Sequence, residues 1–302
     1  QKGRYREFYQ CDADVVGSKS LLNEVELANI YATVFEQLGI EVEIKINSRK
    51  ILAALAELCG GADKMTDITV AIDKLDKIGI DKVKEELQQR GLTAEQISII
   101  ENYLHISGSN EEKLAAIRSL FGENENGKKG IEELSVLLSY FVSPTSYLVL
   151  DFTLARGLNY YTGIIFEVKA KHVQMGSIGG GGRYDDLTGL FGVPNIPGVG
   201  ISFGVDRMYD VMEELQLFPA HVHTGTKVLF FNLGEAESKK AFELVQQLRR
   251  EGIAAELFHE QAKMDKQFKY AEKKRIPFVA IIGTKELETN ACNIKELATG
   301  VQ

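Results

Sequence analysis

The sequence predicts an α+β fold, and three observations carry that expectation. Apolar and polar residues alternate as strands in the opening residues and again between 148 and 203, whereas residues 48–142 carry only helical spacing. After residue 226 short strand and helix patterns alternate, as in a compact α/β module. A chain of 302 residues is long enough for two or three domains. The expected organisation is a core built from 1–47 and 143–218, a helical insertion over 48–142, and a terminal module over 226–302.

Composition narrows the function classes. With 44% apolar and 26% charged residues the chain is ordinary globular protein. Nothing approaches 18 consecutive apolar residues, and the start Gln1-Lys2-Gly3-Arg4 has no signal-peptide core, so a soluble cytoplasmic protein with no membrane partner is expected. The three cysteines, Cys11, Cys59 and Cys292, are too few and too scattered for a disulfide framework or a zinc site. His221 and His223 lack a third ligand nearby, so no metal is assigned. A net charge of −8 argues against nonspecific coating of nucleic acid. From Thr226 onward, however, ten Lys and three Arg face ten Glu and one Asp, a local charge of +2.

In chain order, Arg4 to Val16 alternates as a strand, with Arg4, Arg6, Gln10, Asp12 and Asp14 on one side. Gln10 and Asp14 would lie roughly 13 Å apart along it. Residues 18–39 form an apolar-striped helix closed by Gly39, and Val42 to Ile46 a short strand. The insertion follows as short amphipathic helices, one opened by the capping box Thr93-Ala94-Glu95-Gln96. Leu148 to Leu154 and Ile164 to Val168 read as the two arms of a hairpin-like frame. Gly198 to Phe203 is a strand leading into a helix near Val205. The terminal module reads as strand 228–232, helix 235–250, strand 255–258, helix 265–274, strand 278–282 and a weak strand at 293–297. Its second helix is basic, with Lys263, Lys266, Lys269, Lys273, Lys274 and Arg275.

Three stretches carry chemistry. Arg156-Gly157-Leu158-Asn159-Tyr160-Tyr161-Thr162-Gly163 crowds a guanidinium, an amide and two phenols between glycines, which suits an anionic, partly aromatic ligand. A connection with solvated Arg156 and core-packed tyrosines explains the same residues. Gly176 to Asp186 holds five glycines in seven positions, a pattern for backbone that passes close to a ligand or another strand, or for a flexible turn. It lacks the Gly-Lys-Ser/Thr of a phosphate-binding Walker loop. Arg207, in the first turn of its helix, opposes the helix dipole and points to an anion or a carboxylate partner nearby.

Taken together these stretches resemble the histidyl-tRNA synthetase family of class II aminoacyl-tRNA synthetases. Gly3 to Asp14 is similar to the later part of motif 2, Arg156 to Gly163 to the histidine-specific signature, and Gly198 to Arg207 to motif 3. The resemblance implies a class II antiparallel sheet core with an all-helical insertion, then a small α/β anticodon-binding domain. It implies ATP with Mg2+, histidine and tRNA(His) as partners, and a homodimer when full-length. By the same resemblance Arg156 is the catalytic cation at the α-phosphate, Arg207 holds the γ-phosphate, and Arg4 touches the nucleotide or the tRNA end. Gln10 accepts from the substrate ammonium, Asp14 and Tyr161 bracket the imidazole, and Tyr160 and Tyr184 complete the amino-acid pocket. The resemblance places residue 1 inside motif 2, so a chain truncated at the N-terminus, shortened at the C-terminus and inactive by itself is expected. Asn159 stands where the family more often has Asp, and is expected to orient the turn. The alternative is a synthetase-like regulatory protein that senses histidine or uncharged tRNA; the terminal module counts against the regulatory subunit type.

Overall fold

The computed structural model describes residues 3–142, 147–155, 160–219 and 225–301, and the chain divides into two compact units, residues 1–217 and 218–302. The first is built on six strands, β1 (Gln10–Val16), β2 (Val42–Ser48), β3 (Leu148–Leu150), β4 (Ile164–Ala170), β5 (Gly179–Arg183) and β6 (Gly198–Gly204), in the order β1-β6-β5-β4-β2-β3. Every neighbouring pair is antiparallel except β2 and β3. Val199, Ile201 and Phe203 of β6, with Ile164, Phe166 and Val168 of β4, are buried on one face. Helix α1 (Leu22–Gln37) covers that face because Val25, Ala28, Tyr31, Ala32 and Phe35 recur at helical spacing. Gly39, at φ +68°, ends the helical segment in the conformation glycine tolerates. Tyr31 locks helix to sheet: its ring meets Phe203 edge-on at 4.9 Å, and its hydroxyl donates to the carbonyls of Gly180 and Ser202, both at 2.9 Å.

Two sequence expectations change here. The first strand begins at Gln10, not Arg4. Residues 3–9 instead fold against α8 (Val205–Glu214): Tyr9 N–H donates to Asp206 at 2.6 Å, Val205 N–H to the Tyr9 carbonyl at 3.2 Å, and Tyr5 O–H to Asp210 at 2.5 Å. Local alternation cannot report an acceptor two hundred residues away. The hairpin frame is also corrected, since β2 lies between β3 and β4 and pairs with both. Beyond Leu150 the backbone leaves the ladder because the Asn47 side chain takes the carbonyls of Phe152 (3.3 Å) and Leu154 (2.9 Å), and Tyr103 O–H the former at 2.7 Å.

Between residues 49 and 140 the regular elements are helices: α2 (Arg49–Leu58), α3 (Met65–Ile72), α4 (Leu75–Gln89, kinked at Gly79, φ +78°), α5 (Ala94–Leu104), α6 (Asn110–Phe121) and α7 (Glu125–Tyr140). Thr93 and Gln96 close the expected capping box on α5, and Ser109 with Glu112 close another on α6. The buried residues of these helices join the sheet residues in one continuous apolar cluster. They also shield the sheet edge at β3. Asn110 donates to the Leu148 carbonyl and accepts from Leu150 N–H, and Lys113 donates to the Leu150 carbonyl, so backbone groups that would template another strand are occupied. Beside them Lys45 holds Asp151 at 2.6 Å. Burial alone would raise the Asp151 carboxyl, but the bonds from Lys45 and Thr153 outweigh it and leave it below the ordinary range.

The second unit contains β7 (Val228–Phe230), α9 (Glu235–Arg250), β8 (Ala255–Leu257), α10 (Met264–Lys273), β9 (Phe278–Ile281), α11 (Thr284–Thr289) and β10 (Asn293–Glu296). The strand order is β10-β9-β7-β8, parallel except for β10. Apolar residues fill both faces, with Leu229 and Phe231 in one cluster and Phe230 and Val245 in the other. The sequence reading missed α11, whose six residues are too short to show a period. Among the described residues no helix is long and apolar enough to cross a membrane.

Candidate active site

On β5 and β6 the face of the sheet opposite α1 is nearly bare. Register places Gln10, Asp12 and Asp14 of β1 beside Gly204, Ser202 and Gly200 of β6, and the last two beside Gly180 and Gly182 of β5. Paired residues point to the same side, so four glycines and a serine form a floor without side-chain bulk. The glycine-rich segment is therefore a strand, which resolves the choice left open by its composition. A Cβ at Gly179, on the other side, would lie 2.9 Å from the Tyr31 ring, so β5 is glycine on both faces for different reasons.

A cleft of about 720 Å3 opens over this floor. Arg4, Gln10, Tyr160, Tyr161 and Arg207 all line it, although they come from three separate parts of the chain. The rings of Tyr160 and Tyr161 lie 4.2 Å apart between centroids. A Cβ at Gly182 would lie 2.9 Å from the Tyr161 ring, so Tyr161 rests on the floor itself. Arg207 is held by carbonyls, with Nε to Gly3 at 2.8 Å and Nη1 to Ser177 at 2.5 Å. Ser177 is in turn fixed by its hydroxyl on the buried Glu167 carboxylate. A cation so placed is organised before an anion arrives.

Asp14 and Tyr184 are brought together at one end of the glycine floor, outside the lining of the cleft. Tyr184 O–H donates to Asp14 Oδ1 at 2.5 Å. Burial, then the bond to Asp14 and its negative charge, push the Tyr184 phenol well above its ordinary range and keep it a proton donor at neutral pH. Two glycines make this pair possible. A Cβ at Gly200 would lie 1.8 Å from Asp14 Oδ1, and one at Gly198 would lie 2.2 Å from the Tyr184 ring. The Asp14 carboxylate thus leans over β6, one strand from Tyr161 on Gly182. The Gln10 amide, in contrast, donates to Asp12 at 2.7 Å. Arg156 and Asn159 lie outside the described residues, as do His221 and His223. Among the described residues no cluster of three or more His, Cys, Asp or Glu is placed to hold a metal ion.

Residues 1–208 match the family described as histidyl-tRNA synthetase, and residues 227–302 match the anticodon binding domain. The chain belongs to the histidyl-tRNA synthetase family. It is 54% identical over 304 residues to a histidine–tRNA ligase of Bacteroides fragilis, an alignment covering 100% of this chain and 67% of that protein. Against the histidine–tRNA ligase of Porphyromonas gingivalis the identity is 52%, with the same coverage. The crystal structure of histidyl-tRNA synthetase from Nostoc superposes with a TM-score of 0.82 at 32% identity, over 98% of this chain and 71% of that one. A Bacillus halodurans structure described as an ATP phosphoribosyltransferase regulatory subunit/histidyl-tRNA synthetase shares the fold, with a TM-score of 0.70 at 23% identity over 89% and 68% of the two chains. Membership of the histidyl-tRNA synthetase family makes the chain an enzyme of the ligase class that serves tRNA aminoacylation.

Sequence reasoning missed several residues that shape this site. Glu24 is fully buried and carries the Arg183 guanidinium, and Gly198 and Gly200 give Tyr184 and Asp14 their room. Glu24 left a signal, because it shares a helical face with Ala28, Tyr31 and Phe35, where a carboxylate has no place without a cationic partner.

Proposed function

We propose that the cleft activates histidine with ATP, giving histidyl-adenylate and pyrophosphate, and that the aminoacyl group then passes to the 3′ end of tRNA(His). The observation that carries this is the glycine floor itself, which leaves room for a flat nucleotide and places cations at one side and the Asp14–Tyr184 pair at the other. The substrate carboxylate oxygen attacks the α-phosphorus as the bond to pyrophosphate breaks. Little covalent work falls to the protein, so catalysis is positioning and charge neutralisation. Arg207 would hold the γ-phosphate, Arg4 the nucleotide or the tRNA end, and Arg156 the α-phosphate. Gln10 would turn its amide oxygen to the substrate ammonium while its NH2 stays on Asp12.

Asp14 and Tyr161 would take the two imidazole nitrogens, with Tyr184 fixing Asp14 and Tyr160 backing Tyr161. An apolar or smaller side chain would leave these groups unpaired, which is the stronger form of discrimination. Magnesium would arrive on the ATP phosphates, since the described residues offer a single carboxylate at the lining, Asp206, and it is engaged with Tyr9 N–H. The exposed Lys263, Lys266, Lys269, Lys273 and Lys274 along and beside α10 suit the phosphates of tRNA. In the full-length protein, which we take to be a homodimer, ATP–pyrophosphate exchange should depend on histidine and fall at least tenfold in Arg207→Ala. Exchange that is absent with histidine present would instead favour the sensor.

A further inference from the structure

We propose that Arg183 is a positioning residue for histidine recognition, anchored on Glu24 and acting through Tyr184, Asp14 and Tyr161; this rests on reading the site as a histidine pocket. Arg183 is 4% exposed and is not among the residues that line the cleft. All its N–H donors are used. Nε and Nη2 grip the Glu24 carboxylate at 2.5 and 2.7 Å, Nη1 reaches the Ser18 carbonyl at 3.1 Å and Asp185 at 3.0 Å, and Nη2 reaches the Ser20 carbonyl at 3.3 Å. A guanidinium has five such donors in a fixed fork, so this geometry admits one placement of the side chain.

What the fork joins is the reason for the proposal. Ser18 and Ser20 lie just beyond the end of β1, the strand that carries Asp14. Arg183 is the last residue of β5 and is followed directly by Tyr184. Its own carbonyl accepts from Thr162 N–H at 2.7 Å, next to Tyr161, and Asp185 N–H donates to the Thr162 hydroxyl at 3.1 Å. Gly163 packs on the same side chain, where an added Cβ would lie 3.2 Å from Arg183 Cδ. The segments bearing Asp14, Tyr184 and Tyr161 therefore converge on one buried guanidinium. A buried ion pair adds little net stability compared with apolar residues of equal volume, whereas its directionality defines a single arrangement of the groups around it.

The test uses the full-length protein, active-site titrated, in histidine-dependent ATP–pyrophosphate exchange. Arg183→Lys keeps the charge and loses the fork. It should raise KM for histidine about tenfold or more while KM for ATP stays within about twofold. Glu24→Gln should do the same to a smaller extent and serves if the lysine variant folds poorly. Tyr184→Phe should also raise KM for histidine, and combining it with Arg183→Lys should raise KM no further than the worse single variant. If Arg183→Lys and Glu24→Gln lower thermal stability and active-site concentration but leave KM for histidine unchanged, while Tyr184→Phe raises it, Arg183 is merely structural and the proposal is overturned. Should none of the three variants, Tyr184→Phe included, change KM for histidine, the pocket reading fails and the proposal with it.

Discussion

Gly200→Ala should reduce kcat/KM for histidine by about a hundredfold or more in the exchange reaction, equivalent to about 3 kcal/mol of transition-state stabilisation. The added methyl would sit 1.8 Å from Asp14 Oδ1, a separation no two non-bonded heavy atoms adopt, so the carboxylate must leave its place over β6. Asp14 is exposed on β1 and can swing into water at small cost to the fold. The damage therefore falls on the site: Asp14 loses Tyr184 and its place over β6, one strand from Tyr161, together. Thermal stability should stay close to that of the parent protein, which separates this outcome from misfolding. Gly189→Ala is the matched control, because its methyl would meet only ordinary contacts with Pro194 at 3.8 and 3.9 Å. Loss of activity in Gly200→Ala without a change in histidine dependence would mean that Asp14 does not see the amino acid.

Arg183→Ala should have the largest effect on stability, costing the first unit about 3–5 kcal/mol in chemical denaturation. Burial by itself would lower the affinity of the Arg183 guanidinium for its proton, but Glu24 and Asp185 outweigh it and hold the group charged beyond any accessible pH. Truncation leaves Glu24, which has no exposed surface, as an unpaired carboxylate in the core. The double variant Glu24→Gln/Arg183→Met should recover part of the loss, since it removes both charges and keeps much of the volume. A double variant less stable than Arg183→Ala would show that the cost lies in packing and not in charge.

Much of the fold was legible because most of its elements are long and periodic. The helix over 235–250 was read to the residue, and α1, β6 and the capping box of α5 were placed within a few residues, each from spacing or a cap that acts locally. The errors share a cause. Residues 3–9 left the strand for Asp206 and Asp210, and β2 entered between β3 and β4, both through partners distant in sequence. β5 was recognised as special but not as a strand, because glycine carries no period. Of the residues singled out by type and by the resemblance, Arg4, Gln10, Tyr160, Tyr161 and Arg207 line the cleft, whereas the residues that support them were not singled out. Gly198, Gly200 and Arg183 act by the space or the bonds they give to others, which only three dimensions reveal.

The most direct test of the proposed histidyl-adenylate pocket is a crystal structure of the full-length protein with a nonhydrolysable histidyl-adenylate analogue. The adenylate should lie over Gly180 and Gly182, its imidazole hydrogen-bonded between Tyr161 and Asp14, with Tyr184 still donating to Asp14 and Arg207 at the phosphate side of the cleft. An imidazole bound away from Asp14, with the glycine floor uncovered, would contradict it.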